Sequence, residues 1–290
     1  MKRILLVLLL CAAFMSGPTA CAVMTSDESG GSKEPRVIST SAALCEILDK
    51  LELDLVGVPD TSFELPERYK GVKRVGLPMT PNMEIVRSLN PTDVISPNSL
   101  QYDLKPKYES SKVACTFVNL MSVEGMFKSI EELGKKYGKT EEAKALTDDY
   151  RAFMEGYTGK IRGKEKPRVL ILMGIPGSYM VATEKSYVGN LVKLAGGINV
   201  FEDEQALLNI NTEAIAQTDP DIILRAAHAL PDDVLKMFDK EFKENDIWKH
   251  FRAVSGGRVY DLDYKIFGMS ANLGYKDALN KLQELLYGRE

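Results

Sequence analysis

Histidine is scarce in this 290-residue sequence, so any imidazole chemistry has to use His228 or His250. His228 lies among small residues in the segment 225–231, between an apolar run and a proline. The small neighbouring residues offer no side chains that would bury the imidazole. Neutral imidazole is the commonest metal ligand among side chains. Capping of the next helix is the alternative interpretation. His250 lies between Trp248 and Phe251, which predicts an exposed position on a short helix anchored by these two aromatic residues.

Met79 provides a second candidate metal ligand. It lies between two prolines in the segment 76–81, where no helical periodicity is present. Filling of a gap in the core is the alternative role for a methionine. Thioether and imidazole together form an axial pair that holds haem iron. If Met79 and His228 lie in opposite halves of the molecule, they can approach one ligand from its two faces.

The elements that must position these residues follow an α/β pattern, because short β-branched runs alternate with helical patterns from residue 36 onwards. Strands are predicted at 36–40, 55–58, 93–96, 115–118, 168–173, 180–183, 221–225 and 258–262. Their continuous apolar character is typical of parallel strands that are covered on both faces. Ligand contacts are then expected in the loops that follow the carboxyl ends of these strands.

One long amphipathic helix is predicted over 141–163, because apolar residues recur there at spacings of three and four. It separates an N-terminal lobe at 36–140 from a C-terminal lobe at 164–290. The predicted fold is therefore α/β, with two Rossmann-like lobes joined by a single long helix and a ligand cleft between them. A connection of this kind predicts small movements on ligand binding rather than a wide opening.

An internal repeat supports two similar lobes. The segments 82–95 and 211–223 each begin with Asn, carry Glu two residues later and end in Pro followed by an apolar run. The two acids, Glu84 and Glu213, fall in the first turns of matching helices. Stabilisation of the helix dipole would by itself explain an acid at this position.

The N-terminal segment has the features of an export signal. Two basic residues precede an apolar run at 4–15, which is too short to span a membrane. The residues around Cys21 resemble a bacterial lipoprotein processing site, with Cys21 as the lipidated first residue after removal of residues 1–20. Pro18 departs from this pattern, which prefers Leu. A plain secreted protein with a free Cys21 is the alternative, and the polar segment 21–35 is predicted to be a flexible tether.

Composition excludes several other classes of protein. A balance of 37 basic against 41 acidic residues, with a net charge of −4, gives no basic surface for nucleic acid. Four cysteines without a CxxC pair are too few for a disulfide scaffold. Cys45 and Cys115 lie in apolar contexts and are predicted to be buried thiols, with a disulfide between them left open. The sequence contains no phosphate-binding loop, nucleophile elbow or zinc-protease motif.

Several long stretches resemble the haem-receptor lipoproteins of the iron-regulated surface determinant system. That family lies within the helical-backbone class of substrate-binding proteins for ABC importers, which also serves siderophores and cobalamin. The stretches that carry the resemblance are 76–84, 169–183, 211–213, 219–231 and 245–251. Similarity extends over nearly all of 36–287.

The resemblance implies roles for two pairs of residues. Met79 and His228 match the axial ligands of haem b in that family. Glu84 and Glu213, one in each lobe, match the acids that dock on arginines of the membrane permease.

Two further contacts to haem are expected on weaker grounds. The propionates need donors, and the start of a helix at Thr40, Ser41 and Ala42 offers free backbone amides. Simple capping of that helix is the alternative. Tyr179, in a loop that contains two glycines, is a candidate to cover the porphyrin face, and a turn explains that loop equally well.

The expected function is haem binding without catalysis. The protein would be a monomer on the extracytoplasmic face of the bacterial cell membrane, attached through its lipid anchor only. It would receive haem from an upstream surface protein and deliver it to an ABC permease and its ATPase. The alternatives are a siderophore or cobalamin receptor of the same class, and an exported enzyme with His228 as general base and a nucleophile or carboxylate within hydrogen-bond reach.

Overall fold

The computed structural model of this chain describes residues 34–228 and 230–288. The predicted signal peptide at 1–20, Cys21 and nearly all of the predicted tether lie outside the described residues. The helices and strands, in chain order, are β1 (Val37–Ser39), α1 (Ala42–Lys50), β2 (Leu55–Gly57), β3 (Gly76–Leu77), β4 (Thr80–Pro81), α2 (Met83–Ser88), β5 (Asp93–Pro97), α3 (Gln101–Ser110), β6 (Cys115–Val118), α4 (Val123–Tyr137), α5 (Thr140–Ile161), β7 (Arg168–Ile175), β8 (Ser178–Ala182), α6 (Tyr187–Leu194), β9 (Ile198–Asn199), β10 (Leu207–Leu208), α7 (Thr212–Ala216), β11 (Ile222–Ala227), α8 (Pro231–Glu244), α9 (Arg252–Ser255), β12 (Val259–Asp261) and α10 (Tyr275–Tyr287). None of the described helices is long and apolar enough to cross a membrane.

The first half of the described chain contains a four-stranded sheet in the order β2-β1-β5-β6. All of its neighbouring strands run parallel, as their apolar character predicts. β5 is buried along its whole length. The carboxyl end of β1 leads directly into Ser41, which caps α1 by accepting a hydrogen bond from the backbone N–H of Leu44 at 3.2 Å. Helix α1 therefore begins at the edge of the sheet where the strands end.

The second half contains a six-stranded sheet in the order β10-β8-β7-β11-β12, with β9 also paired to β7. The strands β7, β9, β11 and β12 run parallel. The expectation of a parallel strand at 180–183 is wrong, because β8 pairs antiparallel with β7. Ile175 and Ser178 face each other across a two-residue turn in which Gly177 has a φ of 83°. Only antiparallel strands can be joined by so short a connection.

The predicted long helix is α5, which follows the first sheet and precedes the second in the chain. Aromatic residues pack it against a helix of each half. Phe127 of α4 stacks on Tyr150 of α5 with ring centroids 4.3 Å apart, and Tyr275 of α10 meets Phe127, Tyr150 and Phe153 edge-on at 5.4–5.8 Å. We call these four residues the junction cluster.

Hydrogen bonds also join the two halves directly. The side chain of Asn190 in α6 accepts from the backbone N–H of Val123 at 2.9 Å and donates to Glu124 at 3.0 Å, at the start of α4. The backbone N–H of Ala271 donates to the carbonyl of Leu120 at 2.8 Å. These bonds and the junction cluster resist separation of the halves, which supports the expectation of small movements.

The internal repeat is present in three dimensions. Helices α2 and α7 are both capped by asparagine: Asn82 accepts from the backbone N–H groups of residues 84 and 85, and Asn211 accepts from that of residue 214. Each helix is followed by a residue with positive φ, Asn90 at 45° and Asp219 at 38°, before the proline that precedes the buried strand. The two segments therefore fold in the same way.

Both copies also use an arginine at the start of the neighbouring strand. The backbone N–H of Arg36 donates to the Thr92 hydroxyl at 2.9 Å, and that of Arg168 donates to the Asp221 carboxylate at 2.8 Å. Each guanidinium donates to a carbonyl at the end of the repeated helix. Thr92 and Asp221 differ in sequence, but they accept equivalent hydrogen bonds.

The two cysteines within the described residues are free thiols. Cys45 is buried, and burial raises the pKa of its thiol to about 11. Cys115 is half-buried. The prediction of buried thiols is confirmed for Cys45 and holds in part for Cys115.

We expect Asn190→Ala to lower the free energy of unfolding by about 1–3 kcal/mol, because it leaves the buried N–H of Val123 without its acceptor. Urea unfolding of the chain measures this. Asn209→Ala, at an exposed asparagine, serves as the control and should change stability by less than about 0.5 kcal/mol. Equal stability of the two variants would show that the Asn190 bonds do not hold the halves together.

Candidate ligand site

A cavity of about 190 Å³ lies between the two halves. Its wall in the first half is formed by Ser41, Ala42, Ala43, Glu46, Thr61, Phe63 and Pro78. Its wall in the second half is formed by Ala227, His228, Tyr264, Lys265, Gly268, Met269, Ser270 and Asn272. The cavity lies where β1 and β11 end, which is the usual place for a ligand in parallel α/β sheets.

His228 is positioned by its strand. The backbone N–H of His228 donates to the carbonyl of Gly174 at 2.9 Å, which extends the pairing of β11 with β7 by one residue. The N-cap position of α8 belongs to Leu230 and carries no side-chain hydrogen bond, so the described residues do not support a capping role for His228. Part of the imidazole is accessible to solvent and the rest is enclosed by the protein, and this partial burial lowers its pKa. A lowered pKa favours the neutral form, which has a lone pair for a metal.

A buried arginine fixes the strand that carries His228. Arg225 in β11 donates to both oxygens of Asp261 in β12, at 2.6 and 2.7 Å, and to Asp239 in α8 at 2.9 Å. Its guanidinium also lies 5.5 and 5.2 Å from the ring centroids of Phe238 and Phe242. This arrangement holds β11, β12 and α8 together, just before the loops that reach the cavity. Sequence reasoning did not identify it, because its partners are distant in the chain.

The start of α1 forms part of the opposite wall. Ser41 and Ala42 line the cavity as predicted, together with Ala43. The first backbone N–H groups of a helix lack acceptors within the helix, and they favour an anionic group at this end.

Thr40 does not join this wall. It is buried, its backbone N–H donates to the carbonyl of Ile95 at 3.1 Å, and its hydroxyl donates to Ser96 at 2.9 Å. Its donors therefore hold β1 to β5 and are not free for a ligand. Thr40 is not among the residues that line the cavity, whereas the next two residues, Ser41 and Ala42, are.

Met79 lies at the turn of the hairpin formed by β3 and β4. Its neighbour Pro78 lines the cavity, and Met79 itself is 60% exposed. Such exposure excludes the alternative role of filling the core. Met79 is therefore an exposed residue next to the wall residue Pro78 and is not itself among the residues that line the cavity.

Tyr179 is not among the residues that line the cavity. Its ring packs 5.9 Å from that of Phe238 and 6.2 Å from that of Trp248, and its hydroxyl donates to Glu241 at 3.3 Å. The turn before Tyr179 is the hairpin turn between β7 and β8, so a turn explains this loop.

His250 is exposed on a short helix while Trp248 and Phe251 are buried, as predicted.

Several wall residues were missed by sequence reasoning. Phe63 and Tyr264 meet across the cavity with ring centroids 5.9 Å apart. Lys265 brings a cation, and Glu46 is a partly buried acid whose pKa is raised by burial. The residues 264 and 265 follow β12, whose end lies beside that of β11. The rule used for His228, that ligand contacts follow strand ends, would have found them.

Glu84 and Glu213 lie away from the cavity walls, in the first turns of α2 and α7. Both side chains are exposed. Neither carboxylate forms an ion pair with another described residue. Glu84 borders an open surface depression of about 620 Å³. The two acids are therefore accessible to a partner.

The cavity wall combines the His228 imidazole, the N–H groups at the start of α1, the Lys265 ammonium and several apolar side chains, and the exposed thioether of Met79 lies next to the wall residue Pro78. Such a set suits a planar apolar ligand that carries both a metal and anionic groups. The imidazole and thioether are suited to the metal. The helix start and Lys265 are suited to the anions.

Comparisons with known proteins agree with this geometry. The family model described as periplasmic binding protein matches residues 37–265. The sequence is 44% identical over 271 residues to the high-affinity heme uptake system protein IsdE of Staphylococcus aureus (strain bovine RF122 / ET3-1), covering 93% of each chain.

Two solved structures have the same fold. An ABC transporter substrate-binding protein from Listeria monocytogenes EGD-e matches with a TM-score of 0.84 and 48% identity, covering 89% of this chain and 100% of that one. S. aureus IsdE complexed with heme matches with a TM-score of 0.84 and 44% identity, covering 88% of this chain and 99% of that one.

We expect His228 to titrate below 6.5, because partial burial disfavours its charged form. The pKa of His228 is lower in the folded chain than in the unfolded chain. His228 therefore lowers the free energy of unfolding as the pH falls from its unfolded-state pKa to its folded-state pKa. An NMR titration of the two histidine rings measures this, with His228→Gln and His250→Gln to assign the signals. A midpoint at or above 6.5 for His228 would contradict the burial argument.

Proposed function

Because this chain belongs to the periplasmic binding protein family, we propose that it is the haem-binding protein of an ABC importer for iron acquisition. The observation that carries the proposal is His228, an imidazole in the wall of a cavity between the two halves. The similarity to a haem uptake protein over nearly the whole chain supports haem b as the cargo. The relatives are binding proteins, so the enzyme alternative is set aside.

In this proposal His228 and Met79 bind the haem iron from opposite sides. His228 belongs to the second half and Met79 to the first, so each half contributes one ligand. The porphyrin would lie against the apolar wall residues Pro78 and Met269. Haem transfer then requires these two bonds to be exchanged for those of the acceptor.

The propionates are proposed to lie at the start of α1. The free N–H groups near Ser41 and Ala42 would donate to one or both carboxylates, and the Lys265 ammonium would add charge from the second half. Glu46 lies in the same wall, and burial raises the pKa of its carboxyl group.

A substrate-binding protein of an ABC importer works with a permease and an ATPase. We propose that Glu84 and Glu213 dock on cationic residues of the permease. The equivalent helices α2 and α7 present one exposed acid from each half, which gives two points of contact. The depression beside Glu84 leaves room for a side chain of the partner.

The remaining parts of the proposal concern the location and the organisation of the chain. We propose that Cys21 is lipidated and anchors the protein to the extracytoplasmic face of the membrane. We also propose that the protein is a monomer that receives haem from an upstream surface protein. The lobes are proposed to comprise residues 36–140 and 164–290, joined by the helix predicted at 141–163.

The axial ligands are tested by absorption spectra of the chain with ferric haem. We expect His228→Ala and Met79→Ala each to shift the Soret band and to weaken haem binding by at least about tenfold, or about 1.4 kcal/mol. Met269→Ala is the matched control, because Met269 lines the same cavity and is not a proposed ligand. It should keep the wild-type spectrum.

Two results would overturn the assignment. An unchanged spectrum in both the His228 and Met79 variants would remove the proposed ligands. Binding of a siderophore or cobalamin, with no Soret change on addition of haem to the wild type, would favour the alternative cargo within this class.

The docking acids are tested by haem-stimulated ATP hydrolysis of the importer in liposomes. We expect Glu84→Ala and Glu213→Ala each to lower the stimulation, and the double variant to lower it further, while haem affinity stays unchanged. The effect should weaken at high salt, which screens exposed charges. Glu155→Ala, an exposed acid of α5, is the control. Full stimulation by the double variant would exclude docking through these acids.

A further inference from the structure

Two aromatic rings meet across the cavity from loops of opposite halves. Phe63 follows β2, and Tyr264 follows β12. Their ring centroids are 5.9 Å apart with an interplanar angle of 55°, and both residues line the cavity that contains His228. Phe63 remains 42% exposed, so this contact lies at the mouth of the cavity and not in the core.

The cavity is small for the proposed cargo. Its volume of about 190 Å³ falls below the roughly 300–1,000 Å³ of ordinary small-molecule pockets. A porphyrin therefore needs more room than the walls leave. Either the halves separate or side chains at the cavity move.

Separation of the halves is opposed by the contacts that join them. The junction cluster packs α4, α5 and α10 together, and Asn190 and Ala271 form hydrogen bonds across the halves. By comparison, Phe63 and Tyr264 form one ring contact beside solvent. The ring contact is therefore the easier one to break.

The backbones of the two loops are held in place. The backbone N–H of Phe63 donates to the Thr61 hydroxyl at 3.1 Å. The turn at Tyr264 is fixed by Asp263, which accepts from the N–H of Lys265 at 2.9 Å and, through its carbonyl, from that of buried Phe267 at 2.9 Å. Rotation of the two side chains opens the mouth without moving these backbones.

We propose that Phe63 and Tyr264 form an aromatic gate at the mouth of the cavity, and that their rings turn aside to admit haem. This inference rests on the proposed function, because the cargo sets the room required. In this inference the two rings control the entry of haem into the cavity, before the iron is bound. Their aromatic contact keeps the gate closed, so its loss should increase the open fraction.

Stopped-flow absorption at the Soret band tests the gate by measuring the association rate of ferric haem. Aromatic pairs contribute a factor of about 2 to 12 to an equilibrium constant. We expect Phe63→Ala and Tyr264→Ala each to raise the association rate constant by about that factor. The double variant should match the single variants, because either change removes the whole contact. Tyr264→Phe keeps the ring and should keep the wild-type rate.

Tyr102→Ala is the control, because Tyr102 is 91% exposed and is not among the residues that line the cavity. Unchanged or slower association in both alanine variants would overturn the gate while wild-type haem binding left the proposed function standing. A rate for Tyr264→Phe equal to that for Tyr264→Ala would also overturn it. A wild type that binds no haem would overturn the proposed function and the gate together.

Discussion

The packing of Tyr275 against Phe127, Tyr150 and Phe153 is the constraint on which the two-lobed arrangement depends. It joins a helix from each half to α5, and so limits the distance between the two sheets. That distance brings the ends of β1 and β11 to one cavity. The same packing limits separation of the lobes, which leaves the side chains at the cavity mouth to control access.

Most of the fold could be predicted from the sequence, for reasons that particular elements make clear. The strands β5 and β11 are buried along their whole length and each follows a proline, and the helices before them are capped by Asn82 and Asn211. The direction of each strand was harder to predict, because the apolar character of a strand does not indicate whether it pairs parallel or antiparallel. The direction of β8 is set by the two-residue turn before it, at Gly177.

The site could be predicted in part. His228 could be singled out because histidine is scarce in the sequence and because it follows a predicted strand. Ser41 and Ala42, which line the cavity, could be singled out because they lie at the start of a predicted helix. Thr40 does not line the cavity, because its donors complete the pairing of β1 with β5. Phe63 and Tyr264 were missed because they lie far apart in the sequence, and only the packed lobes bring them together.

The central claim is that haem lies in this cavity with one iron ligand from each half. A crystal structure of the haem-loaded chain tests it most directly. We expect a porphyrin between α1 and the loop after β12, with the iron bonded to the His228 imidazole and the Met79 thioether. A porphyrin bound elsewhere, or an iron that bonds neither residue, would contradict it.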